Sequence, residues 1–323
     1  MMDLLTREPH KVSASLNDKI FLFYGQGGTR KTTVASGFDG MVLGAFEIGY
    51  KFIDGVVAEP LQKWADMKRF VRELSRPEVK ERFKTVAIDT ITLAYQACYD
   101  YILAQYGVDD PGDIPYGKGW RFIRKEFEKT ILSIPQMGYG LVLIAHSSEY
   151  EDEDNNATAK VDIDKRPAAI IKGLADFILY LHKEYRDGAE KTADNETVYA
   201  YSKLVDIETK TRSRYFPPRF EFTYENLQKA MDAAIEEQKK VEGIVTIDES
   251  ESLHRVEEED FDSLQSTTLE LASKLIATEA EEAVKDKLLE ILEGTPLSQT
   301  TKFHKEKLVA LRESLYEIEG KLK

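Results

Sequence analysis

The chain has 323 residues, of which 42% are hydrophobic, and a formal net charge of −14, so it can form one large domain or two ordinary ones. It contains no apolar run near the ~18 residues of a membrane span, and its first residues lack the apolar stretch of a signal peptide, so we expect a cytoplasmic protein with no membrane partner. The single cysteine, Cys98, excludes an internal disulfide, and five histidines argue against a structural zinc site.

Short apolar runs alternate with amphipathic segments through the first half of the chain. Residues 19–24, KIFLFY, predict a buried strand that leads into a glycine-rich loop and then a helix beginning in TTVASGF. Strands that alternate with helices predict an α/β fold, with a mostly parallel sheet flanked by helices on both faces. The further predicted strands are 41–48, 84–90 and 140–146, the predicted helices are 60–83, 91–106 and 120–132, and 107–118 is a Gly/Pro/Asp loop.

The middle of the chain is harder to assign. Residues 147–167 are polar and acidic, so we expect a mobile loop there. Residues 170–185 predict a short helix that runs into a strand. Two later runs, TVYAYSKL and IETKTRSRYF, predict strands that could pair as a hairpin.

The composition changes after Phe222, and the end of the chain is strongly acidic. Residues 236–323 carry 22 acidic and 12 basic side chains, a net charge of −10. We predict an α/β core over 1–235, an acidic linker over 236–263 and a helical module over 264–323, built as a hairpin or small bundle. This module could dock a partner protein or could be a solubilising tail.

The glycine-rich loop YGQGGTRKTT nearly matches the phosphate-binding pattern G-x-x-x-x-G-K-[ST]. Backbone N–H groups of such a loop cradle phosphates, and the following helix adds its positive dipole end. Arg30 replaces the second glycine of the pattern, which a side chain tolerates if its φ is negative and it points outward. We therefore predict that the Arg30 side chain points away from the β-phosphate. The predicted nucleotide-binding residues are Gly25, Gln26, Gly27, Gly28, Thr29, Arg30, Lys31, Thr32 and Thr33.

Three polar residues follow predicted strands at the edge where the loop lies. Asp89 ends the strand TVAID, as a carboxylate that holds Mg²⁺ together with the Thr32 hydroxyl would, although it could equally cap the next helix. Glu47 could orient the attacking water as a general base, or it could be a solvated strand end. His146 could sense the γ-phosphate, or it could cap its strand.

The segment ETKTRSR places Lys210, Arg212 and Arg214 on one side of a predicted strand. Lys210 and Arg212 could reach the γ-phosphate of a neighbouring subunit, as arginine fingers do. The alternative is a charged edge strand that prevents aggregation.

This order of motifs resembles the RecA-like P-loop ATPases of bacteriophages, often called phage nucleotide-binding proteins, some of which are single-strand-annealing recombination ATPases. The resemblance covers residues ~17–225. It implies ATP and Mg²⁺ as cofactors, a homo-oligomeric ring or filament, and single-stranded DNA binding in the host bacterial cytoplasm. By position it also implies roles for single residues: phosphate and Mg²⁺ binding by Lys31 and Thr32, Walker B for Asp89, the catalytic glutamate for Glu47, the sensor for His146, and the trans-acting basic pair for Lys210 and Arg212.

Two predicted loops carry the aromatic and basic residues that would contact single-stranded DNA. In the family resemblance, loops after the third and fourth strands line the DNA path, although the acidic run EYEDED (149–154) opposes DNA binding and two plain surface loops remain the alternative. The candidate DNA-binding residues are Tyr116, Lys118, Trp120, Lys160, Lys165 and Arg166.

Three functions remain in competition at this point. The first is a recombination ATPase stimulated by single-stranded DNA, with the C-terminal region docking a single-strand-binding protein or another replication protein. The second is a nucleotide-dependent assembly or loader protein that acts on a protein partner without binding DNA. A small-molecule or nucleoside kinase is disfavoured, because no lid-like arginine segment follows the central strands.

Overall fold

The computed structural model describes residues 11–151, 157–185, 192–246, 261–278, 280–301 and 304–321. The chain divides into two compact units, Met1–Arg255 and Val256–Lys323. None of the described helices is long and apolar enough to cross a membrane.

The first unit is built on a nine-stranded sheet in the order β11-β9-β8-β1-β5-β4-β2-β3, with β10 paired to one end of β8. The strands from β8 to β3 run parallel, whereas β9 and β10 are antiparallel to β8. The predicted α/β class with a mostly parallel sheet is therefore confirmed. The strands are β1 (Ile20–Gly25), β2 (Met41–Ala45), β3 (Val57–Pro60), β4 (Thr85–Asp89), β5 (Gly140–Ala145), β6 (Ser147–Glu151), β7 (Ala157–Val161), β8 (Phe177–Tyr185), β9 (Glu196–Tyr201), β10 (Lys210–Thr211) and β11 (Arg219–Glu221).

Helices cover both faces of this sheet and create two cores. The alternation of side chains along β1 explains this: Leu22 and Tyr24 face one core, and Phe21 and Phe23 face the other. The first core packs against α2, α4, α5 and α6, and the second against α1 and α7. The helices are α1 (Lys31–Ala35), α2 (Trp64–Leu74), α3 (Pro77–Arg82), α4 (Ile91–Tyr106), α5 (Gly119–Gln136), α6 (Lys165–Leu174) and α7 (Tyr224–Glu242).

The prediction of a mobile loop over 147–167 is wrong for most of that segment. Strands β6 and β7 form an antiparallel hairpin, and α6 begins at Lys165. Ala159 and Val161, two residues apart on β7, are buried in the first core. These two apolar side chains anchor the segment, although its acidic composition is typical of a loop. Residues 152–156, which include part of EYEDED, lie outside the described residues.

The late strands also pair differently from the expected hairpin. Strand β10 has only two residues and pairs with β8, while β9 pairs with β8 and β11. Helix α7 continues past the predicted core boundary at 235 to Glu242, and residues 247–260, most of the predicted linker, lie outside the described residues.

The second unit is a small helical bundle with its own core. Two helices precede the turn that contains Leu297, and a third follows it. Leu264, Leu275, Val284, Leu308 and Leu311 are buried between them, whereas Leu289 is 67% exposed. These helices are α8 (Phe261–Ile276), α9 (Glu281–Leu292) and α10 (Lys305–Lys321).

Candidate nucleotide site

The glycine-rich loop joins the buried end of β1 to the first turn of α1, as a phosphate-binding loop requires. Gly25 is needed where β1 ends, because a Cβ there would lie 2.4 Å from the carbonyl oxygen of Leu181 on β8. Gly28 has a φ of +76°, which L-residues rarely adopt. Thr29 is buried, and its hydroxyl donates to the Gln26 carbonyl at 2.9 Å, which fixes the curve of the loop.

Lys31 lies inside this curve rather than in solvent. Its amine donates to the carbonyl oxygens of Gly25 and Gln26 at 2.9 and 2.8 Å and to the Thr29 hydroxyl at 3.2 Å. Burial lowers the pKa of Lys31 from 10.5 to about 8, although Asp89 and Glu47 act against this shift. Among the described residues, the hydrogen-bond partners of this buried ammonium group are two carbonyls and a hydroxyl rather than a carboxylate, which favours the binding of an anion such as phosphate.

Thr32 and Asp89 are brought together across the ends of α1 and β4. The Thr32 hydroxyl donates to Asp89 Oδ2 at 2.6 Å. Burial, together with the nearby Glu47 carboxylate, raises the pKa of Asp89, although its bond to Thr32 partly opposes this. A hydroxyl and a buried carboxylate beside a phosphate loop match the few protein ligands that Mg²⁺ takes when phosphates and waters complete its shell, so these residues fit that ion.

Glu47 and His146 form a second pair at the same edge. His146 Nε2 lies 3.1 Å from Glu47 Oε2, and the two side chains are 40% and 43% exposed. Two backbone N–H groups, of Phe46 and Glu47, donate to the Asp89 carbonyl at 2.7 and 2.9 Å. These bonds tie the segment after β2 to the end of β4. Because β5 lies between β1 and β4, the residue that follows it, His146, lies at the same edge of the sheet as the loop and Asp89.

Arg30 corrects one condition set from the sequence. Its φ and ψ are +60° and +23°, so this arginine adopts the left-handed conformation that the usual glycine would adopt, rather than a negative φ. Arg30 is exposed, and it forms none of the contacts that Lys31 makes with the loop. The backbone of the loop therefore keeps the shape of a glycine-containing one and carries an exposed arginine side chain.

Comparison with known proteins gives the same assignment as the geometry. Residues 17–213, more than half of the chain, match the family described as AAA domain. The chain belongs to this AAA-domain family. It is also 29% identical over 286 residues to the SPbeta prophage-derived uncharacterized protein YorG of Bacillus subtilis (strain 168), with 85% of each chain covered. The family places the chain among the nucleotide-binding proteins of the P-loop NTPase class.

The late basic segment of this AAA-domain protein lies away from its own phosphate loop. Lys210 is opposite Ile178 on β8, and Ile178 pairs with Leu22, three residues before the loop begins at Gly25. Its amine donates to the Lys172 carbonyl at 2.7 Å at the end of α6. Burial lowers the pKa of Lys210.

The two arginines of that segment have separate partners, so the expected single basic face does not form. Arg212 Nε pairs with Asp176 at 2.7 Å. Arg214 Nε donates to Glu242 on α7 at 3.1 Å. The strand prediction is wrong beyond Thr211, where β10 ends. The side chains after Thr211 therefore do not alternate between two faces as they would along a strand.

Some of the predicted DNA-contacting residues meet in one surface groove of about 430 Å³. The Arg166 guanidinium lies 4.0 Å from the centroid of the Trp120 ring, and Lys165 lines the same groove. Arg121 and Arg124 also line it and were not singled out from the sequence, because a charged helix face is usually just solvated.

The remaining candidates lie apart from this groove lining. Lys118 stacks over the ring of Tyr116 at 4.7 Å, and Tyr116 is 91% exposed with a φ of +64°. Lys160 is exposed on β7. Sequence reasoning also missed Lys183 on β8, whose charge reaches Lys31; the signal was a polar end, HKEY, to an otherwise apolar strand.

Proposed function

We propose that the chain is a Mg²⁺-dependent ATPase with a RecA-like core that binds single-stranded DNA as an oligomer in phage recombination or replication. The observation that carries the ATPase part is the convergence of two pairs, Thr32–Asp89 and Glu47–His146, on one buried lysine. The prophage-derived name of its relative supports a phage origin and work in a bacterial host cytoplasm.

The residues divide the chemistry as follows. Lys31 would neutralise the terminal phosphates, and Thr32 and Asp89 would hold a Mg²⁺ ion, which would supply further charge neutralisation there. Glu47 accepts hydrogen bonds from the attacking water and orients it, while His146 holds the Glu47 carboxylate at 3.1 Å. A change at the terminal phosphate would therefore reach His146 through Glu47.

His146 also stands at the root of the β6–β7 hairpin. Its carbonyl accepts from the Asp162 N–H at 2.9 Å, and the Asp162 carbonyl accepts from the Thr92 hydroxyl at 2.8 Å. Asp162 thus connects the end of β5 with the first turn of α4, which follows Asp89. Lys165 and Arg166 begin three residues later, so the same short segment leads from the nucleotide pair to the basic groove.

The groove supports single-stranded DNA as the ligand despite the acidic net charge. It combines a half-buried indole with four cationic side chains, which suits base stacking and phosphate contact. The docking role of the C-terminal unit is part of this proposal, and its separate core supports treating it as a distinct module. Lys210 and Arg212, which lie away from their own loop, support an oligomer in which they serve a neighbour.

The test is ATP turnover by wild type and Lys31→Ala, each with and without single-stranded DNA. We expect turnover that DNA stimulates and that the Lys31 variant loses. Trp120→Ala should weaken DNA binding by about 1–3 kcal/mol per stacked base, and Arg166→Glu should reduce the salt dependence of binding. Arg76→Glu, at an exposed arginine elsewhere, is the matched control and should bind DNA as wild type does.

A second function is distinguished by the same experiment. A loader or assembly protein would bind ATP and change its oligomeric state, but DNA would neither stimulate turnover nor bind at low salt. The acidic C-terminal third, with its separate helical core, is the observation that favours this alternative.

A further inference from the structure

Strand β8 overhangs the phosphate loop. Gly25, the last residue of β1, pairs with Leu181, but β8 continues to Tyr185. Lys183 is two residues past Leu181 and so faces the same side of the sheet, the side on which Leu181 packs with Val34 and Ala35 of α1. The overhang therefore carries a lysine on the side of the sheet where the loop and its helix lie.

The amine of Lys183 reaches the loop itself. A Cβ built on Gly28 would lie 3.0 Å from Lys183 Nζ and 3.6 Å from its Cε. The absent side chain of Gly28 thus leaves the space that this amine occupies. The positive charge of Lys183 also contributes to the lowered pKa of Lys31, so the two ammonium groups repel each other within one loop.

Within the described part of the chain, one carboxylate forms an ion pair with this second amine. Lys183 Nζ lies 3.2 Å from Glu196 Oε2 on the neighbouring strand β9, and the two side chains are 25% and 16% exposed. Tyr185 also donates to that oxygen at 3.3 Å. Glu196 therefore has an alternative donor and can release Lys183 without being left buried and unpaired.

We propose that Lys183 is a second phosphate-binding lysine of the same subunit, which leaves Glu196 for the terminal phosphates when a nucleoside triphosphate binds. This inference rests on the proposed ATP-binding function and adds a specific competition to it. A polyphosphate carries more negative charge than one carboxylate, so it binds the Lys183 amine more strongly than Glu196 does. Binding to both lysines also reduces the repulsion between their ammonium groups. Glu196 then acts as an internal competitor that weakens nucleotide binding.

The competition predicts opposite signs for the two partners. Titration with Mg²⁺ and the non-hydrolysable analogue adenylyl imidodiphosphate should give a Kd about tenfold higher for Lys183→Met, the size of one charge-assisted hydrogen bond. Glu196→Gln should lower the Kd, and the double variant should lose that gain. Lys183→Arg keeps the charge and should stay within about threefold of wild type.

Controls separate a local role from a general one. Lys68→Met removes a comparable pair, with Glu126 at 2.9 Å on the other face of the sheet, and should leave the Kd unchanged. Thermal unfolding of each variant checks the fold. If Lys183→Met and Glu196→Gln weaken nucleotide binding equally, the ion pair only stabilises the structure around the loop, and the inference is overturned.

The proposed function fails separately. If wild type does not bind the analogue, the proposed ATP binding is wrong. If Lys31→Ala binds it as well as wild type does, the phosphate loop is not the nucleotide site. If wild type binds, Lys31→Ala does not, and Lys183→Met binds like wild type, only the inference about Lys183 is overturned.

Discussion

The carboxyl and amino ends of the central sheet both carry basic and acidic side chains, but their charges are balanced differently. At the carboxyl end, Lys31 and Asp89 are 7% and 4% exposed, and burial shifts the pKa of each toward its neutral form. At the amino end, Arg212 is 59% exposed and pairs with Asp176, itself 22% exposed. The charged groups at the carboxyl end are buried, whereas the arginine at the amino end is largely exposed to solvent.

The difference indicates which end is complete within one chain. Buried charges at the carboxyl end lower stability unless an anion and a cation join them, so they belong to a ligand site. An exposed ion pair contributes at most about 1 kcal/mol, and its arginine can change partners at little cost. We infer that the amino end is available to a second copy.

Arg212→Gln should have the largest effect and tests whether the amino end serves a second copy. If Arg212 serves a neighbouring site, turnover should fall by about 10³-fold, the lower range for an arginine finger, while the Kd for nucleotide stays near that of wild type. Steady-state turnover and nucleotide titration measure the two effects. Arg214→Gln is the matched control, because it also removes an exposed, ion-paired arginine of the same segment, and it should leave both quantities unchanged.

Mixing variants tests whether the arginine acts between subunits. Arg212→Gln and Lys31→Ala damage opposite ends of the central sheet, so a mixed oligomer should contain some intact composite sites, and turnover should return. Lys31→Ala mixed with Asp89→Asn damages the same end twice and should stay inactive. Recovery in both mixtures, or in neither, would place Arg212 in its own subunit's site or outside catalysis.

The next effect in size is on stability. Lys31→Met should abolish nucleotide binding but raise the free energy of unfolding at pH 7 by about 1–2 kcal/mol. A pKa lowered from 10.5 to about 8 corresponds to about 3 kcal/mol of destabilisation, and the lost hydrogen bonds to two loop carbonyls offset part of the gain. Urea unfolding monitored by circular dichroism measures the difference.

The pH dependence gives the sign of this effect. Below pH 8 folded Lys31 is protonated and the full destabilisation is present. Between pH 8 and 10.5 the unfolded chain binds more protons than the folded one, so wild-type stability rises relative to Lys31→Met and the gap closes. Lys31→Met equal to or less stable than wild type at pH 7 would mean that the amine is well solvated.

The same comparison explains what could be predicted from the sequence. Glu47, Asp89 and His146 were found because parallel strands end at one edge, so a polar residue after each apolar run has to converge there. The prediction that Lys210 and Arg212 lie on one face of a strand is wrong because β10 has only two residues and ends before Arg212. Lys183 was missed because its approach to Gly28 depends on how far β8 extends beyond β1, and register is not visible in one strand.

The smallest expected effect concerns Arg30, where the backbone has a glycine conformation without a glycine. A left-handed φ costs an L-residue roughly 1–2 kcal/mol, and the greater freedom of glycine in the unfolded chain returns part of that. Arg30→Gly should therefore stabilise the chain by about 0.5–1 kcal/mol, by the same urea measurement. Tyr116→Gly, at a second left-handed residue, should stabilise similarly but leave nucleotide Kd and turnover unchanged. Because the Arg30 side chain is exposed and makes none of the loop contacts of Lys31, Arg30→Gly should also bind nucleotide within about twofold of wild type, and any change should appear in turnover by the oligomer. A large loss of nucleotide affinity would instead mean that Arg30 contacts the phosphates, and the assignment of Lys31 as the main phosphate-binding cation of the loop would have to be revised.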